Sequence, residues 1–193
     1  YTTVLLDLER RHRAGTGRKS TLEYVVRSAA SVIWSAVSEG GFVQAAGQGA
    51  RTLHVPPGRG DGHFTLALYE LLKAAQDGTA PFHEVVAAHL AQIPAGSTVV
   101  FVSGTVFLDL GPWGDLIEAL RSRGSRLLFL LVNNFSFPPI SGWPPPRAEV
   151  VERMREAVFF LESRGARVQV LEDAEDLGAA LEEYVFRRGL FRK

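Results

Sequence analysis

Residues 1–26 read YTTVLLDLERRHRAGTGRKSTLEYVV. An apolar run, TVLLDL at 3–8, closes on Asp7-Leu8, and eleven residues rich in Arg and Gly follow, ERRHRAGTGRK at 9–19. Ser20 then opens a segment in which Leu22, Val25, Val26, Ala29, Ile33 and Val37 recur at helical spacing. Ser20 and Glu23 form an S-x-x-E capping box that sets the helix start. Strand, loop and helix in this order is the unit from which parallel α/β sheets are built. The loop lies where such layouts hold phosphates or metals.

Working outward, short apolar and β-branched runs predict further strands at 41–46 (GFVQAA), 51–55 (RTLHV), 98–103 (TVVFVS), 126–132 (RLLFLLV) and 167–171 (RVQVL). Helical patterns fall between them, at about 63–76, 82–92, 113–123, 147–164 and 175–187, with Gly124 and Gly165 as helix stops. The near-continuous apolar character of TVLLDL, TVVFVS and RLLFLLV predicts strands buried on both faces, hence a parallel sheet. One connection is different. GQGA at 47–50 is too short for a crossover, so 41–46 and 51–55 form a hairpin with one antiparallel edge strand. Pro56-Pro57 is expected to end that strand.

A chain of 193 residues with 46% hydrophobic content suits one globular domain, here 1–193. Formal net charge is +0, so no global field points to nucleic acid or a membrane surface. The absence of cysteine excludes disulfides, thiolate metal sites and thiol catalysis. No apolar run reaches the ~18 residues that a membrane span needs. The chain begins with Tyr1 at the edge of a strand, and the expectation is a fragment of a longer protein.

Two phosphate-loop readings of 9–19 fail on register. A P-loop needs G-x-x-x-x-G-K-[ST], but Arg18 precedes Lys19-Ser20 and Arg13 stands five residues earlier, so both required glycines are missing. Gly15-Thr16-Gly17 begins a dinucleotide fingerprint whose third glycine position is Ser20. A third reading is a divalent ion held by a carboxylate at the end of the first strand and small hydroxyls beyond it. A fourth is structural: Asp7 caps the next turn, and the Arg-rich loop is a solvated, mobile segment.

The hairpin and the placement of Asp7 resemble a von Willebrand factor A-type domain. More narrowly, VLLDLE, KSTLEY, LHVPPGRGDGHFTLALYELLKA, DGT and STVVFVSG are similar to the carboxyl-terminal domain of a bacterial family, domain of unknown function 58. These stretches are spread along residues 3–133, from Val4 to Gly104. The resemblance implies a three-layer, Rossmann-like α/β fold with a six-stranded, mostly parallel sheet in the order 3-2-1-4-5-6, strand 3 antiparallel. It also implies a metal-ion-dependent adhesion site of the form Asp-x-Ser-x-Ser, with a Thr and an Asp on two further loops. Asp7 matches the first Asp and Thr79 the Thr, but Glu9 and Arg11 stand at the two Ser positions and Ser103 at the last Asp. The site is therefore degenerate. The expectation is no metal and no cofactor, with Mg²⁺ on Asp7, Glu9 and Thr79 as the alternative. A further expectation is that the Arg11 guanidinium lies against Asp7 as the counter-charge in place of an ion.

Other candidates have sufficient structural explanations. His12, His54, His63, His83 and His89 lack a Cys partner or a tight H-x-x-x-H spacing, and are expected to be ordinary histidines. Ser103 lacks the glycine that a nucleophile elbow places before it. Arg59-Gly60-Asp61 is a turn tripeptide, with Asp61 placed as a helix N-cap. The acidic run 172–176 and the basic tail 186–193 suit helix ends. The loop NNFSFPPISGWPPPR, 133–147, is distinctive. It follows a buried strand, and its Phe135, Phe137, Ile140 and Trp143 are candidates for partner recognition.

No residue constellation supports an enzyme. The leading expectation is a non-enzymatic protein–protein interaction domain, an adaptor or scaffold. Its binding face would be the carboxyl edge of the sheet, loops 8–19, 77–81, 103–112 and 133–147. The resemblance implies a MoxR-type AAA+ ATPase as partner and a cytoplasmic location, tethered to the membrane through an amino-terminal part outside this chain. The alternative is an anion- or nucleic-acid-binding module using Arg10, Arg11, Arg13, Arg18 and Lys19.

Overall fold

The computed structural model describes residues 1–138 and 146–173. Six strands, β1 (Thr2–Leu6), β2 (Val43–Gln48), β3 (Thr52–Gly58), β4 (Thr98–Ser103), β5 (Arg126–Val132) and β6 (Arg167–Leu171), form one sheet. Its order is β3-β2-β1-β4-β5-β6. All neighbours are parallel except β2 and β3, which pair antiparallel. The sheet order and the antiparallel edge are those expected.

Among the described residues, five helices cover the two faces: α1 (Thr21–Ser38), α2 (Asp61–Leu71), α3 (Phe82–His89), α4 (Leu110–Ser122) and α5 (Arg147–Ser163). Side chains alternate across each strand, so Val4 and Leu6 join one core while Leu5 joins the other. The first core receives Val25, Ala29, Val32 and Ile33 of α1 with Ala67 and Leu71 of α2. The second receives Val86 of α3, Trp113 and Ile117 of α4 and Leu161 of α5. Every residue of β1 and of β4 is buried, as a strand covered on both faces must be. Trp113 anchors the second layer, with its ring 5.3 Å from Phe101 and 5.2 Å from Phe129.

Several boundaries differ from the sequence reading. β3 runs through Pro56-Pro57 to Gly58. The pairing of β2 and β3 shifts register between Val43 and Ala45, and such a bulge on an edge strand accommodates residues without an N–H. α2 starts at Asp61 and ends at Leu71, earlier than the pattern suggested, and its N-cap is Gly60 with φ of 80°, a conformation open to glycine. Asp61 therefore lies in the first turn. α3 gives way to a 3₁₀ turn over Leu90–Gln92, and α4 begins at Leu110. Gly124 and Gly165 end α4 and α5 with φ of 77° and 76°. The helix expected at 175–187 lies outside the described residues.

Candidate functional site at the carboxyl edge of the sheet

The parallel register decides what meets at the carboxyl edge. Leu6 of β1 pairs with Val102 of β4, so the next residues, Asp7 and Ser103, stand side by side at the end of the two strands. Asp7 is 1% exposed. Its Oδ1 accepts from the Glu9 N–H at 3.0 Å, which closes a tight turn at once. Its Oδ2 accepts from the Ser103 hydroxyl at 3.0 Å and from the Gly104 N–H at 3.1 Å, and lies 2.7 Å from His12 Nδ1. A buried carboxylate so surrounded is well compensated for its loss of water.

His12 reaches Asp7 because the loop does not wander. Arg10–His12 form one 3₁₀ turn, which folds the imidazole back over the strand end. Backbone bonds join the loop to its surroundings, from Arg10 N–H to the Gly78 carbonyl and from Gly78 N–H to the Leu8 carbonyl, both at 2.9 Å. Beyond the turn, Gly15–Thr16 and Lys19–Ser20 pair as a short ribbon. The Thr21 hydroxyl accepts from the Ala14 N–H at 3.0 Å and donates to Gln76 Oε1 at 2.8 Å. The Ser20 hydroxyl accepts from the Glu23 N–H at 3.3 Å, the cap read from the sequence. The segment expected to be solvated and mobile is thus pinned, with Leu8, Glu9, His12 and Ala14 buried and only its Arg, Lys and turn residues outside.

The counter-charge differs from expectation. His12, rather than Arg11, lies against Asp7. Arg11 instead pairs through Nε with Glu9 Oε1 and points largely into solvent, its side chain 62% exposed. The same Nε also donates to His12 Nε2 at 3.2 Å. Since a guanidinium N–H can only donate, Nε2 accepts from Arg11, and Nδ1 is left to donate to Asp7. Glu9 is 5% exposed, and its Oε2 has no hydrogen-bond partner, with His12 Nε2 3.7 Å away.

Of the five positions in the degenerate motif, Asp7 and Ser103 are joined directly and Glu9 is linked to Asp7 through its backbone. Arg11 is joined to Glu9. Thr79 is exposed, and its neighbour Gly78 supplies the bridge to Glu9. This donor set does not suit the Mg²⁺ site that the resemblance implies. Mg²⁺ requires hard oxygen ligands in octahedral geometry, whereas the motif's hydroxyls at positions 9 and 11 are replaced and an imidazole nitrogen faces the carboxylates. His12 and Gln76 were not among the sequence candidates. Gln76 is 3% exposed, and its Nε2 lies close to Gly104, where an added Cβ would meet it at 2.4 Å. The five-residue spacing from Asp7 to His12 carries no periodic signal, because a 3₁₀ turn rather than a helix creates the contact.

Beside His12 opens a cavity of about 590 Å³, bordered by Arg11, Phe107, Asp109, Phe135, Arg153 and Glu156. The rings of Phe107 and Phe135 stand 4.4 Å apart, and the Arg153 guanidinium lies 4.7 Å above Phe107. The Thr105 hydroxyl donates to Asn134 Oδ1 at 3.0 Å across the same rim. Phe137, a candidate for recognition, belongs instead to the core. It is 3% exposed and packs edge-on against Tyr24 at 5.0 Å. A side chain this enclosed offers nothing to a partner. Ile140 and Trp143 lie outside the described residues.

No protein-family model matches the chain, and no curated protein matches it in sequence. Solved structures match in shape. The conserved hypothetical protein BatB from Bacteroides thetaiotaomicron aligns over 96% of this chain and 97% of its own, with 14% identity and a TM-score of 0.67. An aerotolerance-related membrane protein from Bacteroides fragilis aligns over 98% and 97%, with 14% identity and a TM-score of 0.65. A von Willebrand factor type A structure from Catenulispora acidiphila aligns over 95% of this chain and 40% of its own, with 10% identity and a TM-score of 0.53. Among the described residues no helix is long and apolar enough to cross a membrane. Sheet order, the antiparallel edge strand and these likenesses together show that the chain has a von Willebrand factor A-like fold.

Proposed function

We propose that this domain is a protein-interaction module, an adaptor or scaffold that works by binding rather than by catalysis. The observation that carries the reading is the rim beside His12. There the rings of Phe107 and Phe135 meet at a tilt of 44° at the mouth of a cavity, with Arg11 and Arg153 at its border. Aromatic and Arg side chains are the residues that most often anchor protein interfaces. The carboxyl edge of a parallel sheet is also where such folds place their ligands. Asp7, Glu9, Arg11, Thr79 and Ser103 are read here as a degenerate adhesion motif that shapes this face.

The resemblance to the domain-of-unknown-function 58 family makes a MoxR-type AAA+ ATPase the partner to test. It also makes the membrane the place to look for the parent chain. The experiment is binding of a purified MoxR-type ATPase from the same genome to the wild-type domain and to Phe107→Ala/Arg153→Ala, with Arg27→Ala on α1 as control. Loss of about tenfold or more in affinity for the double variant alone supports the reading. Equal binding by all three, or by none, sinks it.

A second reading rests on a separate observation. Arg10, Arg11, Arg13, Arg18 and Lys19 are all exposed on one loop. Such a group suits a polyanion, whose affinity falls linearly with log salt. Binding to single-stranded nucleic acid that weakens steeply between low and moderate salt would favour it over a protein partner.

A further inference from the structure

The geometry points to a binding site for a borderline divalent cation of the Zn²⁺ class, formed by Glu9 Oε2 and His12 Nε2, oriented by Asp7 and covered by Arg11. Asp7, Glu9 and His12 are all buried, and each brings a potential ligand atom within 4.8 Å of the other two. Among the described residues theirs is the one such grouping. This chemistry differs from that of the Mg²⁺ motif, since one ligand is the imidazole of His12, which lies outside the motif, and Glu9 stands where the motif has a Ser.

Three features make the cluster more than a group of charges. Glu9 Oε2 is buried without a hydrogen-bond donor, an arrangement that costs free energy unless a cation answers it. The separation of Glu9 Oε2 and His12 Nε2 is 3.7 Å. Metal–ligand bonds of about 2.1 Å at a tetrahedral angle place two ligand atoms ~3.4 Å apart, so a shared ion needs only a small closure. Finally, His12 Nδ1 donates to the buried Asp7 carboxylate at 2.7 Å. That contact fixes the tautomer in which the Nε2 lone pair is available, the carboxylate–histidine–metal relay seen where a second carboxylate orients a ligating imidazole.

Arg11 now lies beside the point where those two atoms converge, bound to the other oxygen of the Glu9 carboxylate. Its Nε is shared between Glu9 Oε1 and His12 Nε2. With a largely exposed side chain, it can swing into solvent and leave the site to an ion, which enters from the cavity that Arg11 and His12 border. Water completes the coordination. Imidazole favours Co²⁺, Ni²⁺, Cu²⁺ and Zn²⁺ over Mg²⁺, so the site discriminates by ligand type.

The test uses the purified chain and Co²⁺ as a spectroscopic probe, with Zn²⁺ as competitor. Expected are saturable d–d absorption at one ion per chain, its loss on adding Zn²⁺, and no displacement by millimolar Mg²⁺. His12→Asn and Glu9→Gln lower the affinity by about tenfold or more, and Asp7→Asn lowers it about 10–100-fold by releasing His12. Arg11→Ala raises the affinity, a gain that unfolding cannot produce. The proposal is overturned if wild-type chain gives no Co²⁺ signal, or if His12→Asn binds as wild type does, the ion then residing on His54, His63, His83 or His89. Unchanged or weakened binding by Arg11→Ala, with the fold intact, overturns the covering role.

Discussion

His12 Nδ1 lies 2.7 Å from Asp7 Oδ2, and this contact organises the carboxyl edge of the sheet. The same carboxylate also accepts from the Ser103 hydroxyl and from the N–H groups of Glu9 and Gly104. A single side chain thus ties β1, the loop after it and the loop after β4 together. It does so with donors from the protein, so the face is formed before any ligand arrives.

Removing that acceptor should be costly. Asp7→Ala takes the acceptor from the buried N–H groups of Glu9 and Gly104 and from His12 Nδ1, while the Ser103 hydroxyl keeps the Thr105 carbonyl; each loss is of the order of 1–3 kcal/mol before relaxation. A destabilisation of about 3 kcal/mol or more is expected in urea denaturation. Asp7→Asn, which keeps an oxygen acceptor, should cost less. A loss below about 1 kcal/mol for the alanine variant would mean that the network contributes little.

Gly78 should tolerate no side chain. A Cβ there would meet the Gln48 carbonyl oxygen at 2.3 Å and the Leu8 carbonyl oxygen at 2.9 Å. Both are backbone atoms, which cannot turn aside as a flexible side chain would. Gly78→Ala should destabilise by about 1–3 kcal/mol or more and raise amide exchange at Arg10, whose N–H donates to the Gly78 carbonyl. Gly62→Ala, with open space around it, is the control expected to be near neutral.

Thr21 links the Arg-rich loop to the core. Its hydroxyl contacts Ala14 N and Gln76 Oε1, and its side chain is fully buried. Thr21→Val keeps the shape and removes the hydroxyl. The expected result is a loss of about 1–3 kcal/mol with faster amide exchange at Ala14. Unchanged protection at Ala14 would show that the ribbon, not this hydroxyl, holds the loop.

Trp113 tests the second core. It is 1% exposed and its ring meets those of Phe82, Phe101 and Phe129. Trp113→Ala should cost about 3–5 kcal/mol, which in a domain of this size lowers Tm by roughly 6–20 °C. A shift of a degree or two would imply that α4 is loosely packed against the sheet.

Much of the fold was legible because it rests on periodicity and turn length. The apolar runs at 98–103 and 126–132 announce strands covered on both faces, the short GQGA connection forces a hairpin, and Ser20 with Glu23 fixes the start of α1. The resemblance supplied the sheet order. Boundaries failed where tertiary packing overrides a local signal, as at Pro56-Pro57, which the edge position of β3 accommodates. Phe137 was a candidate for recognition in a Pro-rich loop, yet its ring packs edge-on against Tyr24.

By itself the sequence determined the layers, the parallel sheet and the position of Asp7 at a strand end, since burial pattern and chain connectivity set all three. Which side chains surround Asp7 was decided only by the tertiary structure. The β1–β4 register brings Ser103 beside it, and a 3₁₀ turn, held by Gly78, turns His12 inward and leaves Arg11 outside. A one-residue difference in that turn exchanges imidazole for guanidinium. No composition or spacing encodes that choice, because it depends on where a distant loop supplies its backbone hydrogen bonds.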